Sequence, residues 1–348
     1  MAGMGSRFCA FMKVNVSIRD PLRRCANALT VNPFRSADAP LDAAPGPLDH
    51  AWRVTAVGMC FVVFGLATGL VTLWLLVVIR PLPFVSSQRK CVWVQGWFLR
   101  LSRWFVDLAQ ALGLMRYTIE NAERLRRPAR PDRPGRHGQL IVANHPSLID
   151  ALFIIGHTPG VCCIVKRELL DNPFTSWLVR SAGYLANESD SLLDDAVRVL
   201  HDGRSLLIFP EGTRNPSDLS LRFRRGAAHV AIAADTALLP VTIDFSPRAM
   251  QKGQPWYALP GRASRVRLVV HPPFDAVARA RASLPDDAPV TVLARRTNDR
   301  LREYFLEQAL QFADPQGLPD ARADRSVGNE GDAVEHPGSR AVSTGVRA

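Results

Sequence analysis

Two short stretches of this 348-residue chain hold residue types that could do chemistry together. The first is Asn144-His145-Pro146-Ser147-Leu148-Ile149-Asp150, directly after an apolar stretch. A histidine titrates near about pH 6.5, so His145 can serve as a neutral base at physiological pH. Such a base works best when a carboxylate holds its other ring nitrogen, and Asp150 can do that. Residues five apart on a straight helix point about 140° apart. The chain must therefore turn at Pro146, with Asp150 bending back from a first helical turn. The competing reading is Asn/Ser capping beside a surface histidine.

The second stretch is Phe209-Pro210-Glu211-Gly212-Thr213-Arg214. Gly212 permits backbone angles that other residues resist. Arg214 offers a planar fork suited to phosphate, and Glu211 could bind a hydroxyl or fix an arginine. Arg222-x-Arg224-Arg225-Gly226 follows and opens a helical pattern. Backbone N–H groups at a helix start, beside three arginines, make an anion site. An ordinary turn with solvated charges is the alternative.

Both stretches follow predicted strands. Apolar runs predict strands over Gln139–Ala143, Val161–Val165, Ser205–Phe209, Leu239–Phe245 and Arg265–His271. Periodic patterns predict helices over Leu148–Ile155, Pro173–Ala182, Ser191–His201, Gly226–Asp235 and Val290–Phe312. Ser191–His201 has the clearest ends: Asp190 or Ser191 can cap it and Gly203 can stop it. Strand–helix alternation predicts an α/β domain over 116–312, with a central, largely parallel sheet flanked by helices. Sheets of that kind place their sites at the carboxyl ends of strands.

The N-terminal part reads as a two-helix membrane anchor over 51–115. Val54–Ile79 is 26 residues without a charge. As a helix it reaches about 39 Å, enough to cross a hydrocarbon core of roughly 30 Å with tilt. Gly65 and Gly69 form a G-x-x-x-G spacing, through which two copies of the helix could dimerise. Over 91–115, Trp93, Trp97, Phe98, Leu101, Trp104, Phe105, Leu108 and Leu112 recur at helical spacing beside Arg100 and Arg103. That pattern predicts a helix lying in the lipid interface. Packing against the soluble domain is the competing reading. Residues 1–50 and 313–348 read as disordered tails, rich in Ala, Pro, Asp, Arg and Gly without apolar periodicity.

The net charge is +11, and residues 80–136 hold 12 Lys/Arg against 4 Asp/Glu. A basic block beside a membrane segment is drawn to anionic lipid head groups. It also places the C-terminal domain on the cytoplasmic face, the inner membrane if the protein is bacterial. No zinc-finger, RNP-like or basic-zipper pattern supports nucleic acid as a partner. The six cysteines include no C-x-x-C pair, so neither a disulfide framework nor a zinc site is expected, and Cys162 and Cys163 read as strand core. His157, His201, His229 and His271 are isolated and read as structural or exposed.

Taken together the two motifs resemble the glycerolipid acyltransferase family, which includes the 1-acylglycerol-3-phosphate acyltransferases. That family's signature is N-H-x-x-x-x-D followed some sixty residues later by F-P-E-G-T-R. Here Phe209 lies 59 positions after Asp150. Arg225-Gly226 and Leu239-Pro240-Val241 match its later basic and strand motifs. The resemblance implies a membrane-bound enzyme that moves a fatty acyl group from acyl carrier protein or coenzyme A to a lipid hydroxyl. The first expected acceptor is 1-acylglycerol-3-phosphate. It implies His145 as base and Asp150 as its partner. Asn144, Glu211, Gly212, Thr213, Arg214 and Arg225 are then expected at the substrate. Neither a metal, a further cofactor nor a covalent acyl-enzyme is implied.

One segment departs from the family pattern. Where many phospholipid-making members carry G-x-(I/V)-F-(I/V)-x-R, this chain has Gly183-Tyr184-Leu185-Ala186-Asn187-Glu188-Ser189. The arginine is absent, and Lys166 or Arg167 is the expected replacement. A different lyso-lipid or a specialised lipid acceptor is the alternative. A serine hydrolase finds no G-x-S-x-G in the chain. A catalytically silent membrane-binding protein is the remaining rival, disfavoured because both His145 and Asp150 are present.

Overall fold

A computed structural model describes residues 46–79, 81–126, 138–171, 176–214 and 222–313. The expected tails fall outside it, apart from residues 46–50 and 313, as does most of the Arg- and Pro-rich stretch before Gly138. The chain begins with helix α1 (Pro47–Trp74), which continues through one π-helical stretch (Leu75–Ile79). Then come α2 (Ser87–Ala111), β1 (Met115–Glu120), α3 (Glu123–Arg126), β2 (Leu140–Ala143), α4 (Asp150–His157) and β3 (Cys162–Val165). The middle holds α5 (Arg167–Asp171), α6 (Ser176–Ser181), β4 (Leu185–Ala186), α7 (Leu192–His201) and β5 (Leu206–Ile208). The chain ends with α8 (Gly226–Ala233), β6 (Leu238–Ser246), β7 (Ser264–Val270), α9 (Ala276–Arg281) and α10 (Val290–Ala313).

The seven strands form one sheet in the order β1-β7-β6-β2-β5-β3-β4. Five of them, from β6 to β4, run parallel, while β7 pairs antiparallel with β6 and parallel with β1. This is the expected largely parallel α/β architecture. All four residues of β2 are buried, as a strand covered by helices on both faces requires. Phe153 on α4 and Phe305 on α10 are the largest fully buried side chains. Cys162 and Cys163 sit buried in β3, and burial raises the Cys162 thiol to about 12. Gly203 ends α7 at φ +76, as its position suggested. Two strands escaped the sequence reading. β4 is two residues long, and β1 (Met-Arg-Tyr-Thr-Ile-Glu) carries polar residues on its half-exposed face.

Helix α1 is long and apolar enough over Leu48–Ile79 to cross a membrane. It starts with Pro47, a residue pre-set for a first helical position, and Asp49 pairs with Arg53 at 2.8 Å. Thr68 and Thr72 donate their hydroxyls to carbonyls one turn back, at 2.7 Å each, so neither needs water. One face of α1 packs on α2, with Phe64 against Phe105 and Trp74 against Trp97. The other face leaves Met59, Val62, Leu66, Leu70, Leu73 and Val77 exposed.

Helix α2 does not confirm the expected two-helix anchor. It begins at Ser87, with Ser86 as cap, and buries Val94, Leu101, Phe105, Val106 and Ala109. Much of that face lies on α4, and Gln95 donates to the carbonyl of Ala182 at 2.9 Å. Trp93 and Trp104 stay exposed. The aromatic stripe therefore divides between two surroundings, because the helix has a domain-packed face as well as an open one. Gly156 on α4 makes the close approach feasible: a Cβ there would stand 2.9 Å from the backbone nitrogen of Arg103. Gly156→Val should therefore destabilise the protein by about 1–3 kcal/mol. Thermal unfolding in detergent checks this, and an unchanged midpoint would argue against α2 as a domain helix.

Candidate functional site

Strand β2 lies between β5 and β6, so the segments leaving the carboxyl ends of these three strands meet at one edge of the sheet. Asn144 is the first residue beyond β2. Its side-chain amide donates to the carbonyl of Ile243 at 2.8 Å and accepts from the Ile243 N–H at 2.7 Å. The side chain thus prolongs the β2–β6 ladder by one rung. Its polar atoms serve the strand edge and set the direction in which the next residue leaves.

That residue is His145. The chain bends at Ser147 and turns through Leu148 and Ile149, later than the expected turn at Pro146, and α4 starts at Asp150. The carboxylate bends back, placing Asp150 Oδ2 3.0 Å from His145 Nδ1. The Ser147 N–H donates to the same oxygen at 2.5 Å. Asp150 has no exposed surface, while 19% of the His145 side chain remains exposed. The inward nitrogen is engaged, which leaves Nε2 as the nitrogen available to a substrate. Burial raises the Asp150 carboxyl above its ordinary range, and the bonds from His145 and Ser147 oppose this.

The second motif meets the first through two contacts. The His145 backbone N–H donates to Glu211 Oε1 at 3.2 Å. The Phe209 ring stacks on the imidazole, with centroids 4.2 Å apart and planes at 23°. Glu211 is buried, and burial pushes its carboxyl up to about 7. Gly212 adopts φ +69, and a Cβ there would come within 2.7 Å of Arg224 Nε. The glycine therefore supplies both a left-handed turn and the space for that arginine. Thr213 is half-buried. Arg214 donates to the carbonyl of Met250 at 2.9 Å and reaches that of Gln251 at 3.5 Å. Arg225 is exposed at the start of α8. Lys166 is exposed just past β3, on the far side of β5 from His145.

The sequence reading missed the contribution of β6. Asp244 is the single acid in the buried strand Leu238–Ser246, and burial pushes it up to about 7. An acid inside an otherwise apolar strand was a usable signal. Arg248 follows two residues beyond the strand. Its charge interacts with Asp244, Glu211 and Asp150.

An apolar cleft borders this edge. Val57, Cys60 and Phe61 of α1 and Phe105 of α2 line it, together with Ile149 and Ala249 from the two segments beside the site.

Residues 116–244 match the protein-family model described as Acyltransferase. That match spans 129 of the 348 residues. It is 30% identical over 165 residues to the 1-acyl-sn-glycerol-3-phosphate acyltransferase alpha of Mus musculus, covering 43% of this chain and 53% of that protein. It is 30% identical over 156 residues to the beta enzyme of Homo sapiens, covering 42% and 50%. The chain thus spans about half the length of the curated relatives it matches. Among solved structures, the 1-acyl-sn-glycerophosphate acyltransferase of Thermotoga maritima aligns with TM-score 0.48 and 20% identity, over 74% of this chain and 97% of that one. His145, Asp150, Glu211 and Asp244 fall inside the matched acyltransferase domain, whereas Arg248 lies four residues past its end.

The Glu211 carboxyl at about 7 lies well above its ordinary value of 4.5. Between these values the folded protein holds a proton that the unfolded chain has released. Stability is therefore lost as pH rises through that window. Glu211→Gln carries no such dependence. Its thermal midpoint relative to wild type should rise from pH 4.5 to pH 7 and then level off. A constant difference across that window would show that Glu211 titrates normally.

Proposed function

We propose that the protein transfers a fatty acyl group from an acyl thioester, carried on acyl carrier protein or coenzyme A, to a lipid hydroxyl. The first acceptor proposed is 1-acylglycerol-3-phosphate, the substrate named for its relatives. The observation that carries this reading is the buried Asp150 carboxylate 3.0 Å from His145 Nδ1, with the second motif's Glu211 bonded to the same histidine's backbone.

In this reading Asp150 keeps the Nδ1 proton in place, so the lone pair is on Nε2. Nε2 removes the proton from the acceptor hydroxyl as its oxygen attacks the thioester carbonyl. A tetrahedral intermediate forms and collapses. The carbon–sulfur bond breaks, and the imidazolium gives its Nε2 proton to the leaving sulfur, which returns His145 to its neutral form. The products are an ester and a free thiol, and no bond to the protein is made. Asp150 stabilises the imidazolium while it exists. Two separate substrates must be aligned, so much of the rate enhancement comes from holding them together. The cleft beside Ile149 and Ala249 is apolar on the side of α1 and suits an acyl chain.

The exposed apolar face of α1 is proposed to meet lipid, with the domain on the cytoplasmic side. Gly65 and Gly69 are exposed on α1 with open space beside them, room enough for a second copy of the helix. Arg225 and Arg214 are proposed for the acceptor's anionic group, with Thr213 beside them. One observation favours a second acceptor reading: Arg214 already donates to two carbonyls, and the family arginine is absent from Gly183–Ser189. A lyso-lipid with a different head group would then be preferred.

The test is an acyl-transfer assay in membranes, with wild type beside His145→Ala. The acceptors are 1-acylglycerol-3-phosphate and a panel of other lipid hydroxyls. Loss of the base should reduce turnover about a thousandfold. Undiminished transfer by His145→Ala would overturn the mechanism. Transfer to a different panel member alone would establish the second acceptor reading.

A further inference from the structure

A third segment reaches the site, and no motif points to it. Beyond β6 the chain runs through residues 247–263 to β7. Both motifs hold its start. Ser147 donates its hydroxyl to the carbonyl of Ala249 at 3.1 Å, and Arg214 donates to that of Met250 at 2.9 Å. Ser264 ties its end back to its start, donating to the carbonyl of Pro247 at 3.0 Å. Between these ties the loop is built of turns. The Gln254 N–H donates to the carbonyl of Gln251 at 3.2 Å, and the Ala258 N–H to that of Pro255 at 3.0 Å. Gly253, at φ +82, supplies the left-handed residue that the first turn takes.

The tip of this loop lies on α1. Trp256 fills the space beside Gly58: a Cβ there would stand 3.4 Å from Trp256 Cη2 and 3.5 Å from Cζ3. The indole also meets Phe61 edge to face, with centroids 6.4 Å apart and planes at 78°. Tyr257 stands at 86° to the indole, 5.7 Å away. Even so, 47% of Trp256 and 54% of Tyr257 remain exposed. Gly58, Val62 and Leu66 lie four residues apart and so share one row of α1, and Val62 and Leu66 are exposed. The aromatic pair therefore borders the exposed apolar face of the helix.

We propose that Trp256 and Tyr257 form a second lipid contact, an aromatic pair that meets the head-group region of an anionic phospholipid bilayer beside α1. This rests on the function proposed above, in which the exposed face of α1 meets lipid. Indole and phenol suit that depth, because each has an apolar ring and a polar tip. Charge agrees. From Phe245 to Ala263 the chain carries Arg248, Lys252 and Arg262 and no acid, and Lys252 and Arg262 are exposed. Cations beside a bilayer are drawn to anionic head groups. An acid-free tip that adjoins a membrane-length apolar face favours lipid over a protein partner. The contact also bears on the site. Leu259 and Pro260 of this loop line the apolar cleft together with Val57 and Phe61 of α1. Seating the tip in the interface holds that wall of the cleft against the bilayer, where an insoluble acceptor arrives.

The experiment reconstitutes the full chain in vesicles of phosphatidylcholine and phosphatidylglycerol. Tryptophan emission is read for wild type, Trp256→Phe and Trp74→Phe. Subtracting each variant from wild type isolates one indole, and Trp74, exposed on α1, reports on the helix itself. The Trp256 emission should be quenched by phospholipids brominated near the head-group end of their acyl chains. It should be shielded from aqueous acrylamide. Emission open to acrylamide and untouched by brominated lipid would overturn the proposal and leave the loop in water. Emission shielded from both would overturn it in favour of a covering protein surface. If Trp74 is quenched and Trp256 is not, the loop proposal falls and the lipid reading of α1 stands. If neither is quenched, both fall. Kinetics give a second readout. Tyr257→Ser should raise the apparent KM for an acceptor diluted in vesicles about fivefold, the partition lost with one half-buried aromatic ring. Its kcat, and its KM for a short-chain, water-soluble acceptor, should stay at wild-type values. An equal rise for both acceptors would make Tyr257 a structural residue and count against the proposal. Should wild type acylate none of the acceptors, the acyl-transfer reading fails, and the quenching still decides the lipid contact.

Discussion

A carboxylate with no exposed surface must be held by donors, since leaving its charge unpaired in the interior costs several kcal/mol. Asp150 is such a group. Its Oδ2 takes the Nδ1 proton of His145 and the backbone N–H of Ser147. Hydrogen bonds to a charged group contribute about 1.5–3 kcal/mol each. Together they offset much of the burial, aided by the position of Asp150 at the start of a helix. The turn through Leu148 and Ile149 and the start of α4 are thereby bound to one geometry. That geometry also dictates which imidazole nitrogen faces outward.

The rest of the edge braces this pair from both sides. Asn144 ties the end of β2 to Ile243 on β6, and the His145 backbone ties it to Glu211 beyond β5. Ser147 and Arg214 then bind the segment after β6 to both motifs. Most of these braces join neighbouring parallel strands, and Arg214 reaches across β2, from the segment after β5 to the segment after β6. A shift of any one of them would be felt at the imidazole. Rigid placement of this kind is what two-substrate chemistry demands, because a displacement of about 1 Å is enough to lose a large part of the rate.

The same edge is joined to the apolar helix. α4, which starts with Asp150, packs on α2, and α2 packs on α1. The cleft lined by Val57 and Phe61 also touches Ile149 and Ala249. Side chains one residue from Asp150 and from Arg248 thus border a surface that α1 helps to build. Under the proposed function, a site for lipid hydroxyls next to a helix long and apolar enough to cross a membrane would shorten the path of an insoluble substrate.

The local pattern of residues was enough to show the α/β class, the parallel run of strands and the His145–Asp150 pair. Alternation of short apolar strands with amphipathic helices is a local property, and so is the need for a turn between His145 and Asp150, although it falls at Leu148 and Ile149 and not at Pro146. The exposed apolar face of α1 was legible for the same reason, since 26 residues without a charge exclude most alternatives. Tertiary structure decided what depends on which strands are neighbours. Only the order β6-β2-β5 brings Asp244 and Arg248 to residues a hundred positions earlier. It also turned Asn144 toward a strand edge and drew Arg214 onto the carbonyls of Met250 and Gln251. The face of α2 was decided there too: aromatic residues at helical spacing suit lipid and protein equally well. Gly156 and the neighbouring α4 surface, far along the chain, made the choice. Local sequence carries periodicity and turn chemistry, whereas charge environment and docking depend on long-range contacts.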